Sequence, residues 1–207
     1  PVFQPGISAS YKGFTAGVWG NMDTSNINGN SGDFSELDYT LDYSGNFAEM
    51  EGVGYSIGVI YYDFPGTKLK DTTEVYAGLS FDMPLSPSVT LYRDVDEYDG
   101  TYVSASIAHS FEKVAELTPD IPIGMDVGAS LGWGSASYNK AYWGSTVNSS
   151  KLNDLTISVS FPFEVGGWTV APSANYVTLM SDSIRKTDTY NKSSDYFFCG
   201  LSLSKSF

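Results

Sequence analysis

The 207-residue chain is poor in charged residues, at 17%, and rich in aromatic residues, at 15%. Its formal charge of −13 excludes a general nucleic-acid-binding protein, because no basic face is available for phosphates. No apolar run approaches the roughly 20 residues of a transmembrane helix. The chain opens on Pro1 without an initiator Met or a signal peptide, so we interpret it as a mature or trimmed chain.

Apolar and polar residues alternate at period two along most of the chain, which predicts β-strands. The clearest alternation is at 34–43, where leucine and tyrosine share one face and carboxylates lie on the other. No long stretch has the helical period, so the predicted fold class is all-β. Eleven strands are predicted, at 2–12, 14–22, 34–43, 53–62, 72–82, 88–93, 102–111, 124–138, 155–163, 168–180 and 193–207.

The connections between these strands alternate in length. Short turns are predicted at 12–13, 44–46, 83–87 and 165–167. Long polar loops are predicted at 23–33, 63–71, 139–151 and 181–195, together with an acidic hairpin at 94–100 and a long connection at 112–123. Such alternation is typical of outer-membrane barrels, which have short periplasmic turns and longer external loops.

The polar face of the strands carries carboxylates where a soluble barrel or sandwich would need apolar side chains. We therefore predict an antiparallel transmembrane β-barrel, as a single domain over 1–207, with its apolar face toward lipid and its polar face toward a wet lumen. Rings of carboxylates favour cations. The alternative is that the carboxylates fill the interior, hydrogen-bonded to residues such as Tyr62 and Tyr76. The predicted lumen-lining residues are Glu36, Asp38, Asp42, Glu74, Asp82 and Asp126.

The number of strands is expected to be even, as it is in bacterial single-chain barrels. Because eleven strands are visible, we expect about twelve, with one strand preceding Pro1. Ten strands would result if the pair 88–93 and 102–111 is misread.

The last predicted strand ends on an aromatic residue, as the closing strand of Gram-negative outer-membrane barrels does. Phe207 is therefore the expected signal for the barrel-assembly machinery, although Lys205 departs from the usual pattern. The alternative is the last strand of a soluble β-protein. The single Cys199 excludes an intramolecular disulfide. The apolar face of this strand contains Phe197, Cys199, Leu201, Leu203 and Phe207.

Five strand-like segments carry a family resemblance: GFTAGVWGNM (13–22), ELDYTLDYSG (36–45), GYSIGVIYYDFP (54–65), TEVYAGLS (73–80) and DVGASLGW (126–133). Together they resemble the TorF-type porins of proteobacterial outer membranes. The resemblance covers most of the chain, and it implies a small outer-membrane barrel of porin type. It supplies no catalytic residue to carry over to this chain.

Two further features of the sequence have simpler interpretations than a functional site. The acidic stretch 94–99 does not have the ligand spacing of an EF-hand calcium loop. A hydrolase would need a Ser–His pair on a shared face, whereas His109 and Ser110 are adjacent and point to opposite faces of a strand. We therefore expect no enzyme activity, no cofactor and no metal.

The expected partners are outer-membrane lipid, lipopolysaccharide and the barrel-assembly machinery, and a monomer is favoured. After a porin-like channel, the next candidate functions are a plugged barrel with a structural or adhesive role, an outer-membrane hydrolase and a soluble ligand-binding barrel. Basic residues of the presumed external loops could contact lipid phosphates: Lys68, Lys70, Lys140, Lys151, Arg185, Lys186 and Lys192.

Overall fold

The computed structural model describes residues 1–26, 31–189 and 193–207. Within these ranges the chain forms 13 strands of one antiparallel sheet and two short helices. The predicted all-β, antiparallel fold class is therefore confirmed. Lys192 and part of each predicted loop at 23–33 and 181–195 lie outside the described residues.

The strands begin and end as follows: β1 (Val2–Phe3), β2 (Gly6–Tyr11), β3 (Phe14–Asp23), β4 (Phe34–Asn46), β5 (Val53–Asp63), β6 (Thr72–Phe81), β7 (Ser88–Asp94), β8 (Thr101–Thr118), β9 (Ile121–Gly134), β10 (Lys151–Ser160), β11 (Phe163–Val165), β12 (Trp168–Leu179) and β13 (Asp195–Ser204). The helices are α1 (Ala136–Trp143) and α2 (Asp182–Arg185).

Backbone contacts divide the chain into two compact units. The first unit contains Pro1–Ser80 and Thr90–Tyr102, and the second contains Phe81–Val89 and Val103–Phe207. In the first unit, β3 pairs with β1 and β2 along one edge and with β4 along the other, and β5, β6 and β7 follow in order. In the second unit, β9 pairs with β10, β10 with β12, and β12 with both β11 and β13.

Two of the predicted strands are each divided into two segments. The prediction at 2–12 becomes β1 and β2, which are separated by Gln4 and Pro5, and the prediction at 155–163 is interrupted at Phe161 and Pro162. Proline has no backbone N–H to donate to a strand ladder, so each interruption falls where the sequence places one. The eleven predicted strands therefore account for all 13 observed segments.

The long connection predicted at 112–123 is wrong. Strand β8 continues to Thr118 and β9 begins at Ile121, so only Pro119 and Asp120 connect them. The side chains of 112–118 are exposed on both faces of the strand, and each face mixes polar and apolar residues, so no alternation is visible. Downstream, β9 ends at Gly134, before the predicted end at 138, and α1 occupies part of the predicted loop.

Two-residue turns occur where the sequence predicts them. Lys12 and Gly13 have φ of 49° and 88°, and Gly166 and Gly167 have φ of 60° and 75°. Positive φ at both central residues is the requirement of a type I′ hairpin turn, whose twist matches that of the flanking strands. The predicted turns at 12–13 and 165–167 are therefore confirmed, whereas the turn predicted at 44–46 lies later, between Asn46 and Val53.

The apolar face of the strands in the first unit is the exposed face. In the register of β4 with β5, Leu41 lies opposite Val59 and Tyr43 opposite Ile57. Leu41 is 51% exposed and Ile57 is 53% exposed, whereas the alternate residues of β4 are half-buried and include Asp38. The observed alternation is thus the reverse of that in a water-soluble sheet.

Side-chain burial shows the same inversion across both units. Among the described residues, the buried hydrophobic side chains are Val147 and Ile184, both outside the strands. More polar or charged side chains than apolar ones are buried: Asp23, Thr72, Glu74, Asp94, Asn139, Asn153 and Thr178. No described helix has the length and apolar character needed to traverse a bilayer.

Candidate functional site

Four of the six predicted lumen-lining carboxylates lie together in the first unit. Glu36, Asp38 and Asp42 alternate along β4, and Glu74 lies on β6. The first three are half-buried, whereas Glu74 is buried. We call this surface of β4–β6 the carboxylate face.

The other two predicted carboxylates belong to the second unit. Asp82 follows the end of β6 and is exposed. Asp126 is half-buried on β9, where the Ser160 hydroxyl donates to its Oδ2 at 3.4 Å. The carboxylate face therefore contains neither residue.

Asp42 is paired with a tyrosine from two strands away. The Tyr76 hydroxyl donates to Asp42 Oδ2 at 2.6 Å. Between them lies Gly58, which is opposite Asp42 in the register of β4 with β5. A Cβ at this position would be 2.5 Å from Tyr76 Cζ, so the absence of a side chain allows the ring to cross β5.

Glu74 is paired with a tyrosine on the adjacent strand. The Tyr62 hydroxyl donates to Glu74 Oε2 at 2.9 Å. Tyr62 itself lies opposite Asp38 in the register of β4 with β5. The hydrogen bonds that the filled-interior alternative assigned to Tyr62 and Tyr76 are thus both present.

Asp38, opposite Tyr62, differs from Asp42 and Glu74. Its Oδ1 is buried, and among the described residues it has no hydrogen-bond partner. The charges of Glu36 and Glu74 both act on it. Unpaired buried polar atoms are rare in folded proteins, so this oxygen is an unusual feature of the carboxylate face.

Ion pairing does not neutralise the carboxylate face within the described part of the chain. The ion pairs found there are Lys70–Glu97, Arg93–Asp99 and Lys113–Glu116, and all of them are partly exposed. None involves a carboxylate of β4 or Glu74. In the first of these pairs, the hydrogen bond to Glu97 raises the pKa of Lys70.

A row of tyrosines continues from the carboxylate face. The centroids of Tyr76 and Tyr92 are 5.7 Å apart, and those of Tyr92 and Tyr102 are 6.4 Å apart. The rings are tilted by 40° and 47°, a packed arrangement in which each ring supports the next. The sequence pattern gave no reason to select Tyr92 or Tyr102, because their contact depends on strand register.

The acidic hairpin at 94–100 is built around Asp94. Its Oδ1 accepts from the backbone N–H groups of Asp96 and Tyr98, at 3.0 Å each, and its Oδ2 accepts from the Thr72 hydroxyl at 2.6 Å. The backbone N–H of Asp94 donates to the carbonyl of Gly100 at 2.9 Å, which confirms the predicted hairpin. Asp94 is therefore a structural residue that fixes the loop.

The second unit contains a buried amide network that the sequence did not reveal. Asn153 Nδ2 donates to Asn139 Oδ1 at 2.8 Å, and Trp143 Nε1 donates to Asn153 Oδ1 at 2.5 Å. Asn139 Nδ2 in turn donates to the carbonyls of Gly134 and Ser149, at 3.0 Å and 2.8 Å. These bonds hold α1 and the segment after it against the end of β9 and β10.

The remaining candidate sites are less organised. His109 is exposed, and its ring makes an edge contact with Phe111 at 4.7 Å. Phe207 lies beyond the end of β13, where the Lys205 ammonium is 5.5 Å from its ring and 5.6 Å from that of Trp168. No group of three or more His, Cys, Asp or Glu side chains within the described ranges is placed to hold a metal ion.

Comparison with known proteins gives no family assignment. The chain matches no family model, no curated protein and no solved structure.

Proposed function

We propose that this chain is an outer-membrane β-barrel that forms a porin-like channel for small hydrophilic solutes and favours cations. The observation that carries the proposal is the inversion of the sheet, whose apolar face is exposed and whose polar face is covered. Soluble monomers rarely expose large continuous apolar surfaces. A lipid environment makes this arrangement favourable, because lipid-facing and lumen-facing residues alternate along barrel strands.

The strand lengths fit the same proposal. Strands β3 and β6 have 10 residues and β5 has 11 residues. A tilted strand needs about 9–11 residues to cross the hydrocarbon layer. In this proposal the sheet closes on itself, since an open strand edge in lipid leaves backbone groups without hydrogen bonds. The resemblance to TorF-type porins supports this proposal.

The cation preference is proposed from the charges of the carboxylate face. Fixed carboxylates along a pore attract cations and repel anions. In the proposed barrel, the face toward the lumen carries Glu36, Asp38, Asp42 and Glu74, with no ion pair to these groups among the described residues. Lipopolysaccharide and the barrel-assembly machinery are the proposed partners, and the proposed location is the Gram-negative outer membrane.

The test is the conductance of the purified, folded chain in a planar bilayer under a salt gradient. Steady openings with a cation-selective reversal potential are the expected result. Substituting Glu36→Gln, Asp38→Asn and Asp42→Asn together should reduce this preference, whereas an unchanged reversal potential would contradict an acidic lumen. A folded barrel that passes no current would contradict the channel itself.

A plugged barrel with a structural or adhesive role is the second candidate. It is favoured by the ordered segment at 135–150, where a buried amide network holds α1 in place. Rigid loops provide a defined surface for contact with a partner outside the cell. A silent but correctly folded chain in the bilayer experiment would favour this second function.

A further inference from the structure

This inference rests on the proposed channel, and it concerns the segment 135–150, which connects β9 to β10. Gly134 and Lys151, the residues on either side of this segment, are already paired with each other in the sheet. A two-residue turn is enough to join antiparallel strands that are paired in this way. Most of the segment is therefore not needed to make the connection, and its position in the structure indicates what else it does.

The segment lies on the polar face of the sheet. Trp133 and Gly134 are adjacent in β9, so they point to opposite faces. Trp133 is exposed, whereas Gly134 is buried. A Cβ on Gly134 would be 2.4 Å from Asn139 Oδ1 and 2.6 Å from Tyr138 Cδ1, so α1 covers the face opposite to that of Trp133. In the proposed channel this covered face is the one toward the lumen.

Hydrogen bonds hold α1 against that face. Asn139 and Trp143 are about one turn apart on the helix, and both bond to Asn153 of β10, at 2.8 Å and 2.5 Å. The Thr189 hydroxyl donates to the carbonyl of Trp143 at 3.2 Å, so the segment after α2 supports the same end of the helix. The position of α1 on the polar face is therefore fixed by contacts with two other parts of the second unit.

The other side of α1 is open. Ala141 lies two residues from both Asn139 and Trp143, which is about 200° around the helix axis, so it points away from β9 and β10. Ala141 and the neighbouring Lys140 are both exposed. The sequence 135–150 contains this lysine and no acidic residue. The segment therefore occupies space beside the polar face without adding negative charge to it.

We propose that the segment 135–150 is the constriction of the proposed channel. In this arrangement α1 narrows the aqueous path beside β9 and β10, and it sets the upper size of the solutes that pass. Charge selection and size selection then belong to different parts of the chain, the first to the carboxylate face and the second to α1.

The experiment measures single-channel conductance in a planar bilayer, with polyethylene glycols of increasing size to find the largest polymer that enters the pore. In the first variant a short Gly–Ser turn replaces residues 136–149, which removes α1 and leaves Gly134 and Lys151 in place. Its conductance should rise, and its size limit should shift to larger polymers. The cation preference should remain, because the replaced residues include no carboxylate. Unchanged conductance and an unchanged size limit would overturn the assignment.

Ala141→Trp is a second variant, which keeps the segment and its hydrogen bonds. The larger side chain adds bulk on the open side of α1, so the conductance should fall and the size limit should shift to smaller polymers. Ala115→Trp makes the same change at an exposed residue of β8, close to the turn between β8 and β9, and should conduct as the wild type does. Equal conductance of these two variants would also overturn the assignment.

The same measurements separate a failure of the constriction from a failure of the proposed function. A conducting wild type whose conductance neither variant changes would keep the channel and reject the constriction. A silent wild type that conducts once residues 136–149 are replaced would reject an open native channel and support the position of α1 in the path. If the folded wild type and the replaced variant are both silent, the channel and the constriction are both rejected.

Discussion

At the scale of single residues, glycines make room for aromatic rings on neighbouring strands. A Cβ on Gly58 would be 2.5 Å from Tyr76, one on Gly20 would be 2.8 Å from Phe34, and one on Gly45 would be 3.0 Å from the Tyr55 hydroxyl. Interior glycines ordinarily weaken a strand, so their presence here indicates a packing requirement. At Gly58 the ring also reaches a carboxylate, which links packing to the electrostatics of the site.

Replacing Gly58 with alanine should destabilise the fold. The new Cβ would meet the Tyr76 ring at 2.5 Å and the Leu41 carbonyl oxygen at 2.7 Å, and overpacking of this kind costs about 1–3 kcal/mol. The measurement is the urea midpoint of the chain folded in detergent. Gly17→Ala is the control, because its Cβ would make only ordinary contacts, the nearest at 3.5 Å. Equal midpoints for the two variants would contradict the argument.

At the scale of elements, α1 depends on side-chain amides more than on apolar packing. Asn139 and Asn153 are buried to 0% and 1% exposure and hydrogen-bond to each other. Ser135 caps the helix, since its hydroxyl accepts from the backbone N–H of Tyr138 at 3.3 Å. A short helix gains little stability by itself, so this network determines whether the segment is ordered.

Asn153→Ala should loosen the segment at 135–150. The substitution removes the hydrogen bonds that Asn153 makes with Asn139 Oδ1 and Trp143 Nε1, at a cost of about 1–3 kcal/mol for each lost bond. Trypsin cleavage after the exposed Lys140 should accelerate, and amide hydrogen exchange in α1 should increase. Asn148→Ala changes an exposed residue of the same segment and should cleave at the wild-type rate. Unchanged protection in Asn153→Ala would show that the network does not order α1.

Deleting Phe207 should reduce the yield of assembled protein in the outer membrane. Phe207 is fully exposed beyond β13, so its removal costs the folded chain little packing. In the proposed outer-membrane barrel, the deletion would instead weaken recognition by the proposed assembly machinery. The yield is measured as the fraction of heat-modifiable barrel in membrane preparations. Ser206→Ala should assemble normally, and a normal yield without Phe207 would reject the assembly role.

Strands could be predicted from the sequence where apolar and polar residues alternate, because the two faces then differ in polarity. They could not be predicted where the two faces have the same polarity. The region 34–43 could be assigned because Leu41 and Asp42 differ in polarity. Residues 112–118 could not, because polar and apolar residues are mixed at both sets of alternate positions. The contact of Tyr76 with Asp42 needs the register of three strands, and the pairing of Asn139 with Asn153 needs the loop fold. Neither is encoded in the spacing of residues.

At the scale of the whole molecule, the usual distribution of side chains is reversed: polar side chains are covered and apolar side chains are exposed. Within the described residues, the buried set is mostly polar, and large apolar side chains such as Leu41, Ile57 and Val75 are between 42% and 53% exposed. In a water-soluble protein such a surface would promote aggregation. In the proposed outer-membrane barrel it is the surface that contacts lipid.

Leu41→Arg distinguishes these two environments. On the lipid face of a barrel, arginine near the bilayer midplane costs about 2–4 kcal/mol. On a water-exposed sheet, the same change would alter stability by less than about 0.5 kcal/mol. The measurement is the folded fraction in lipid vesicles as a function of urea. Leu69→Arg is the control, because Leu69 is 59% exposed in the connection between β5 and β6. Equal stability of the two variants would argue against a lipid-facing Leu41.

The scarcity of buried apolar side chains also determines which solvent can keep the chain folded. Most proteins gain stability in water because folding removes apolar surface from it. Here many large apolar side chains of the described strands remain exposed after folding, so in the proposed outer-membrane barrel that gain has to come from the surrounding amphiphile. Changing the acyl-chain length of a detergent should then change the stability of this chain, as a core substitution changes the stability of a water-soluble protein.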